Sequence, residues 1–186
     1  MKTEAEALGT THYCVFATAI GPCGIAWNAR GLTRLQLPET DEAATAKRIA
    51  MRSGGRHSAD PPVPIARIVE DVRRYALGAN VDFSAAVLDL AEIDDACRSV
   101  YEAARALGWG ETATYGEIAR RVGMADPRDV GQALSRNPIP IIIPCHRVVA
   151  SGGKLGGFSA YGGTLTKERL LALEGVGADA PRLPGL

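Results

Sequence analysis

The sequence predicts a mixed α/β (α+β) chain in two parts, a small N-terminal domain of β-sheet and helices and a mostly helical C-terminal domain. Three observations carry this. Apolar and polar residues alternate between Tyr13 and Leu37 with the two-residue period of strands. After Asp94 the apolar spacing becomes that of a helix. Two helix-start signals then follow, at Thr114 and Asp126, separated by a glycine. The change of character falls near residue 92. The expected organisation is therefore an N-terminal domain over 1–92, a C-terminal domain over 93–177 and a tail over 178–186.

In the first part Tyr13, Val15, Ala17 and Ala19 alternate with Cys14, Phe16 and Thr18 until Gly21-Pro22 turns the chain. Gly24–Trp27 and Leu32–Leu37 continue an antiparallel meander through a turn at Asn28–Gly31. Helices are expected over Asp41–Met51 and, after the Pro61–Pro64 break, over Ile65–Leu77, with a further strand at Phe83–Leu90.

In the second part Asp94 or Asp95 caps a helix carrying Cys97, Val100, Tyr101, Ala104 and Leu107 on one face, ended by Gly108. Thr114-Tyr115-Gly116-Glu117 is a capping box, and its helix stops at Gly123. Asp126-Pro127 opens another helix through Val130, Ala133 and Leu134, which must end near Asn137 because Pro138 follows. Two short helices around a tight glycine turn form a helix-turn-helix or an ordinary helical corner. Arg128 in the first turn opposes the helix dipole, so it either reaches outward or is a solvated surface cation. Gly131, on the same helix, would let DNA come close.

The chain has 186 residues, enough for one large domain or two small ones, and formal net charge zero. Lys and Arg number eleven against thirteen Asp and Glu in 1–100, and ten against eight in 101–186. Positive charge thus leans towards the half that holds the motifs, and any DNA affinity is expected to be modest and salt-sensitive. No apolar run approaches membrane-spanning length, and the segment MKTEAEALGTTH has neither signal-peptide nor transit-peptide character, so a cytoplasmic protein without membrane association is expected. Cys14, Cys23, Cys97 and Cys145 have no CxxC spacing; neither a disulfide framework nor a metal site is expected, even counting His12 and His57 as ligands.

The chemical centre is Ile139-Pro140-Ile141-Ile142-Ile143-Pro144-Cys145-His146-Arg147-Val148-Val149. Its prolines and β-branched residues exclude a helix and favour a buried extended segment. Cys145 is then either a structural apolar residue or a nucleophile needing a base. His146 could serve only if the chain bends, because neighbours on an extended chain face opposite ways. In Thr166–Gly175 the carboxylate of Glu174 lies beside the apolar stripe of Leu170 and Leu171. It either snorkels to water or takes a buried partner such as a histidine. Between them Ser151–Gly163 contains six glycines, Phe158, Ser159 and Tyr161, and reads as a linker or as the wall of a site for a flat ligand.

From Val100 to Gly175 these residues resemble the O6-alkylguanine–DNA alkyltransferases (methylated-DNA–protein-cysteine methyltransferases). The motifs are Gly110-Glu111-Thr112 with Thr114-Tyr115-Gly116, Arg128 to Gly131, Asn137-Pro138, Pro144 to Val149, Gly156-Gly157-Phe158-Ser159 and Leu170 to Gly175. Residues 1–92 match in general character only. The resemblance implies a ribonuclease-H-like N-terminal domain and a C-terminal helix-turn-helix that binds double-stranded DNA in the minor groove and flips out the damaged base. It implies single-turnover transfer of a methyl or larger alkyl group from guanine O6, or thymine O4, to Cys145, by a monomer that uses no cofactor. His146, through a water and oriented by Glu174, would deprotonate Cys145. Tyr115 would donate a proton to the departing guanine, and Asn137 would hold the active-site backbone. Val148, Gly156, Gly157, Phe158 and Ser159 would line the base, while Arg128, Tyr115, Gly131 and Ala133 would meet DNA. Phe158 stands where many relatives carry tyrosine, and the loop Ala160–Gly163 is longer than in the shortest members.

Three other readings remain. A flagging protein of the alkyltransferase-like kind normally lacks the acceptor cysteine. A simple helix-turn-helix regulator has no need of Pro-Cys-His-Arg or of Glu174. A thiol hydrolase built on Cys145, His146 and Glu174 would turn over many times.

Overall fold

The computed structural model describes residues 10–177. The expected tail, 178–186, lies outside the described residues. The chain forms two compact units, one of residues up to Glu92 together with Pro138–Pro140, the other of Ile93–Asn137 and Ile141 onward.

The first unit holds a four-stranded sheet. Strands β1 (His12–Phe16), β2 (Cys23–Asn28) and β3 (Gly31–Gln36) form an antiparallel meander, and the short β4 (Arg56–His57) adds parallel to β1, giving the order β3-β2-β1-β4. Helix α1 (Glu42–Ser53) is capped by Asp41 and buries Thr45 and Ile49, and α2 (Val63–Ala76) buries Ile65, Ile68, Val69, Val72 and Tyr75. The alternation after Tyr13 stops being a strand at Phe16, since Thr18 and Gly21 exchange backbone hydrogen bonds and close a turn. Instead of a strand at Phe83–Leu90, a single parallel bridge joins Leu88 to Leu32. The Asp82 carboxylate accepts from both the backbone and the hydroxyl of Ser84, which bends the chain and leaves too little extended backbone to pair. The Leu35 N–H donates to the Pro138 carbonyl at 3.0 Å, so the residues after Asn137 make an excursion into this unit that the sequence did not announce.

The second unit contains α3 (Asp95–Arg105), β5 (Ala113–Thr114), α4 (Tyr115–Val122), α5 (Pro127–Ser135), β6 (Val148–Val149) and α6 (Thr164–Leu173); β5 and β6 pair in parallel. Asp94 caps α3, whose buried face is Cys97, Val100, Tyr101, Ala103 and Ala104. It ends at Arg105, one turn before the expected Gly108. Thr114 and Glu117 complete the reciprocal capping box of α4, and Gly123 closes that helix at φ 73°. Asp126 caps α5 with Pro127 in its first turn. The Tyr101 hydroxyl donates 2.9 Å to the Ala133 carbonyl, tying α3 to α5 inside the core.

The isoleucine-rich run is not an extended strand. Ile141 adopts φ 72°, left-handed and uncommon for a β-branched residue, and Cys145–Arg147 make one turn of 3-10 helix before β6 begins. Pro140 and Pro144 remove the N–H donors that a ladder would need.

Candidate active site

The 3-10 turn decides the site. On an extended chain Cys145 and His146 would face apart, but three residues per turn let Cys145, His146 and Arg147 diverge by about a third of a circle each. All three are buried. The turn is fastened from α5's C-terminal side, where Asn137 Nδ2 donates to the Ile143 carbonyl at 2.8 Å and the Cys145 N–H donates to that same carbonyl at 2.7 Å.

Glu174, the residue that closes α6, reaches this turn from the far end of the sequence. Its Oε1 lies 2.7 Å from His146 Nε2, and Arg147 donates Nε to Oε2 at 2.7 Å and Nη2 to Oε1 at 3.0 Å. Gly110 N–H also donates to Oε2, at 3.2 Å. The carboxylate near the apolar stripe thus has its buried partner, and more than one. Burial alone would raise the Glu174 pKa, but hydrogen bonds and charge from His146 and Arg147 hold it at about 2. His146 moves down: burial opposes its cation, and Arg147 and Lys167 repel it, against the pull of Glu174. The ring is therefore neutral, with Glu174 ionised.

All four cysteines are free thiols, and burial pushes the pKa of each up, Cys23 to about 12. Cys145 differs in what pulls the other way: Asn137, the cation of Lys167 and the N–H groups of its own turn. At rest it is a protonated thiol surrounded by groups that favour the thiolate, and ionising it requires a base.

Cys145 lines a cavity of about 650 Å³. One wall is α5, through Pro127, Arg128, Gly131, Gln132, Leu134 and Ser135; the other is Gly157, Phe158 and Ser159, with Tyr115 between them. Tyr115 is the first residue of α4, and its hydroxyl donates to the Gly157 carbonyl at 3.4 Å. Burial raises the pKa of its phenol, so it stands protonated. Gly156 lies behind it at φ 72°, where a Cβ would come within 2.8 Å of the Tyr115 ring. Only glycine suits both constraints.

Other expected positions fall elsewhere. Ala133 is in the core, 2% exposed, and does not reach the cavity. Helical periodicity puts it with Val130 on the buried side, whereas Arg128, Gly131, Gln132 and Ser135 share the cavity side, with the buried Leu134 at its border. Val148 is fully buried and its carbonyl is occupied by Lys167 Nζ at 2.6 Å. The Arg128 guanidinium lies back on Asp126, 2.7 Å away.

Sequence reasoning missed Gln132, Ser135, Arg147 and Lys167. Lys167 is fully buried, reaches the Tyr115 hydroxyl at 3.4 Å, and is held by burial at a pKa of about 8. It precedes Leu170 by three residues, the same stripe argument that singled out Glu174, and could have been found by it. Among the described residues no cluster of three His, Cys, Asp or Glu side chains can hold a metal ion; His12 stacks on Trp27, and His57 meets the Tyr13 ring edge-on. No described helix is long and apolar enough to cross a membrane.

Comparison with known proteins gives concordant results. The sequence model of the family described as 6-O-methylguanine DNA methyltransferase, DNA binding domain, matches residues 95–176. The methylated-DNA--protein-cysteine methyltransferase of Methanothermobacter thermautotrophicus is 36% identical, covering 82% of this chain and 79% of its own. The Sulfolobus acidocaldarius protein of that name is also 36% identical, over 90% of this chain and 96% of its own. Among solved structures, Mycobacterium tuberculosis OGT in complex with DNA superposes with a TM-score of 0.71 at 33% identity, covering 88% of this chain and 93% of that one. The O6-methylguanine-DNA methyltransferase of Pyrococcus kodakaraensis gives 0.67 at 28% identity, covering 90% and 100%.

Proposed function

The chain belongs to the family of methylated-DNA–protein-cysteine methyltransferases, its activity is direct-reversal repair of alkylated DNA, and we propose that Cys145 is the acceptor that ends each molecule's single turnover. One observation carries the reading. Cys145 is the nucleophilic residue on the wall of the cavity, and the turn that places it there also places His146 against Glu174.

The proposed steps are these. Cys145 Sγ loses its proton to neutral His146 through a bridging water, and Glu174 stabilises the imidazolium. The thiolate attacks the O6-alkyl carbon, the C–O bond breaks, and its electron pair leaves with the purine. Tyr115 delivers a proton to that purine as charge develops, and the phenolate regains one from His146. In balance, the thiol proton ends on guanine and the alkyl group on sulfur. A thioether is a poor leaving group, so nothing regenerates the thiol.

Reaching a stacked base requires extruding it, at a cost of about a few kcal/mol. The α4–turn–α5 pair acts as a helix-turn-helix laid in the minor groove of double-stranded DNA. Arg128 leaves Asp126 to fill the vacated stack. Gly131, Gln132 and Ser135 face the duplex, and Gly157, Phe158 and Ser159 hold the flipped base. A monomer suffices, since the described groups of the site come from one chain. The four free thiols suit a reducing cytoplasm. The antiparallel meander with a parallel fourth strand supports a ribonuclease-H-like reading of the first unit.

The test is mass spectrometry of the Cys145 peptide after mixing with duplex carrying O6-methylguanine. A gain of one methyl per protein is expected, and repair of more than one lesion per molecule would falsify the acceptor role. Arg128→Ala should slow transfer from duplex far more than from a free O6-alkylguanine base; equal losses remove the finger role.

A further inference from the structure

Arg147 has no part in the transfer described above, yet it is built into the site as firmly as the histidine beside it. Its guanidinium grips both oxygens of Glu174, and its Nη1 donates to the Leu107 carbonyl. Oε1 is consequently shared between Arg147 and His146. Orienting an imidazole takes one carboxylate oxygen, and taking a guanidinium out of water is costly.

Charge conservation says what the extra cation does. Ionised Arg147 and ionised Glu174 together are neutral. A proton on His146 would leave one uncompensated positive charge in a buried site. Without the guanidinium, the same carboxylate would face the histidine alone, and the neutral state of that pair would be carboxylate with imidazolium. A histidine already protonated cannot take a proton from a thiol.

We propose that Arg147 is a positioning residue that keeps His146 unprotonated, its hydrogen on Nε2 towards Glu174 and its lone pair on Nδ1. The inference rests on reading Cys145 as the acceptor. The other titratable groups around the ring fit it. From α6, Lys167 adds a second positive charge that acts in the same direction. From α3 and α4, Tyr101 and Tyr115 carry phenols that couple to the Cys145 thiol of the same turn, and burial raises the pKa of all three. Among the described residues Glu174 is the carboxylate that acts on the imidazole, and Arg147 holds both of its oxygens.

The first measurement uses the wild-type full chain without substrate: tautomer-resolved ¹⁵N NMR of His146 at neutral pH. The expected result is a neutral ring with its hydrogen on Nε2; an imidazolium, or a hydrogen on Nδ1, overturns the proposal. Because no alkyl donor is involved, this arm stands apart from the acceptor reading. In Arg147→Met the His146 protonation midpoint should rise by about one pH unit or more, so that at any pH on the acid limb alkylation falls about tenfold and recovers as pH increases. A loss that is the same at every pH marks a merely structural residue and overturns it. Arg147→Lys keeps the charge without the fork, so its acid limb should stay within about half a unit of wild type. A shift there as large as in the methionine variant also overturns it. Should Arg147→Met fail to fold, the wild-type tautomer and the lysine profile decide.

Discussion

Two arginine–carboxylate contacts in the second unit have the same length and opposite consequences. Arg147 meets Glu174 at 2.7 Å with side-chain exposures of 11% and 0%, while Arg128 meets Asp126 at 2.7 Å with exposures of 87% and 37%. The exposed pair sits in water, where each ion is already solvated and parting them is easy. That suits the role proposed for Arg128, in which the guanidinium leaves its partner to enter DNA. The buried pair has no solvent to fall back on, so neither ion can be lost without stranding the other. Contact distance alone ranks these interactions wrongly; the surrounding medium ranks them.

The strongest challenge to this contrast is Glu174→Ala, which strands the Arg147 guanidinium in the core. It should lower unfolding free energy by about 3–5 kcal/mol, read from the urea midpoint at unchanged slope. A loss near zero would mean that the buried pair behaves like a surface one. The same carboxylate sets an acid limit. Its folded pKa of about 2 is depressed from the ordinary 4.5, so the stabilisation is complete above 4.5 and disappears as pH falls towards 2. The amount at stake is about 3 kcal/mol, and in Glu174→Gln that part of the acid sensitivity should vanish.

A smaller effect sharpens the role of packing. Gly156→Ala forces a Cβ into a left-handed backbone and against the Tyr115 ring, costing about 1–2 kcal/mol. Transfer should slow even from a free base if the displaced ring is the proton donor proposed above; unchanged kinetics with the free base would detach Tyr115 from the chemistry. Smaller again is Tyr101→Phe, which leaves the buried Ala133 carbonyl without its hydroxyl donor and should cost about 1 kcal/mol in thermal or urea unfolding. At the bottom lies Arg128→Ala, for which no measurable change in the unfolding midpoint is expected. A clear destabilisation would make the finger a structural residue after all.

The helix starts were legible in the sequence because their causes are local. Thr114 and Glu117 satisfy each other's backbone within one turn, and at α5 the Asp126 side chain accepts from the Arg128 N–H while Pro127 has no N–H to satisfy. The strand at Phe83–Leu90 was misread because composition favours extension there, while the Asp82 side chain diverts the backbone at Ser84. Ala133 was misplaced for want of a reference direction. Periodicity separates the two faces of α5, but which of them meets the cavity depends on what packs against the helix. Lys167 escaped notice because a long cation at the edge of a stripe ordinarily snorkels to water.

By itself the sequence determined where helices begin, which faces are apolar, and that a carboxylate at 174 would either reach water or need company. Those are properties of residues within a turn or two of each other, governed by propensity, capping and the price of burying charge. Only the tertiary structure decided that the company is both His146 and Arg147, and that a 3-10 turn aims Cys145 into open space while its neighbours point inward. Groups twenty-seven and twenty-eight residues apart meet through the packing of whole elements, which no local preference encodes.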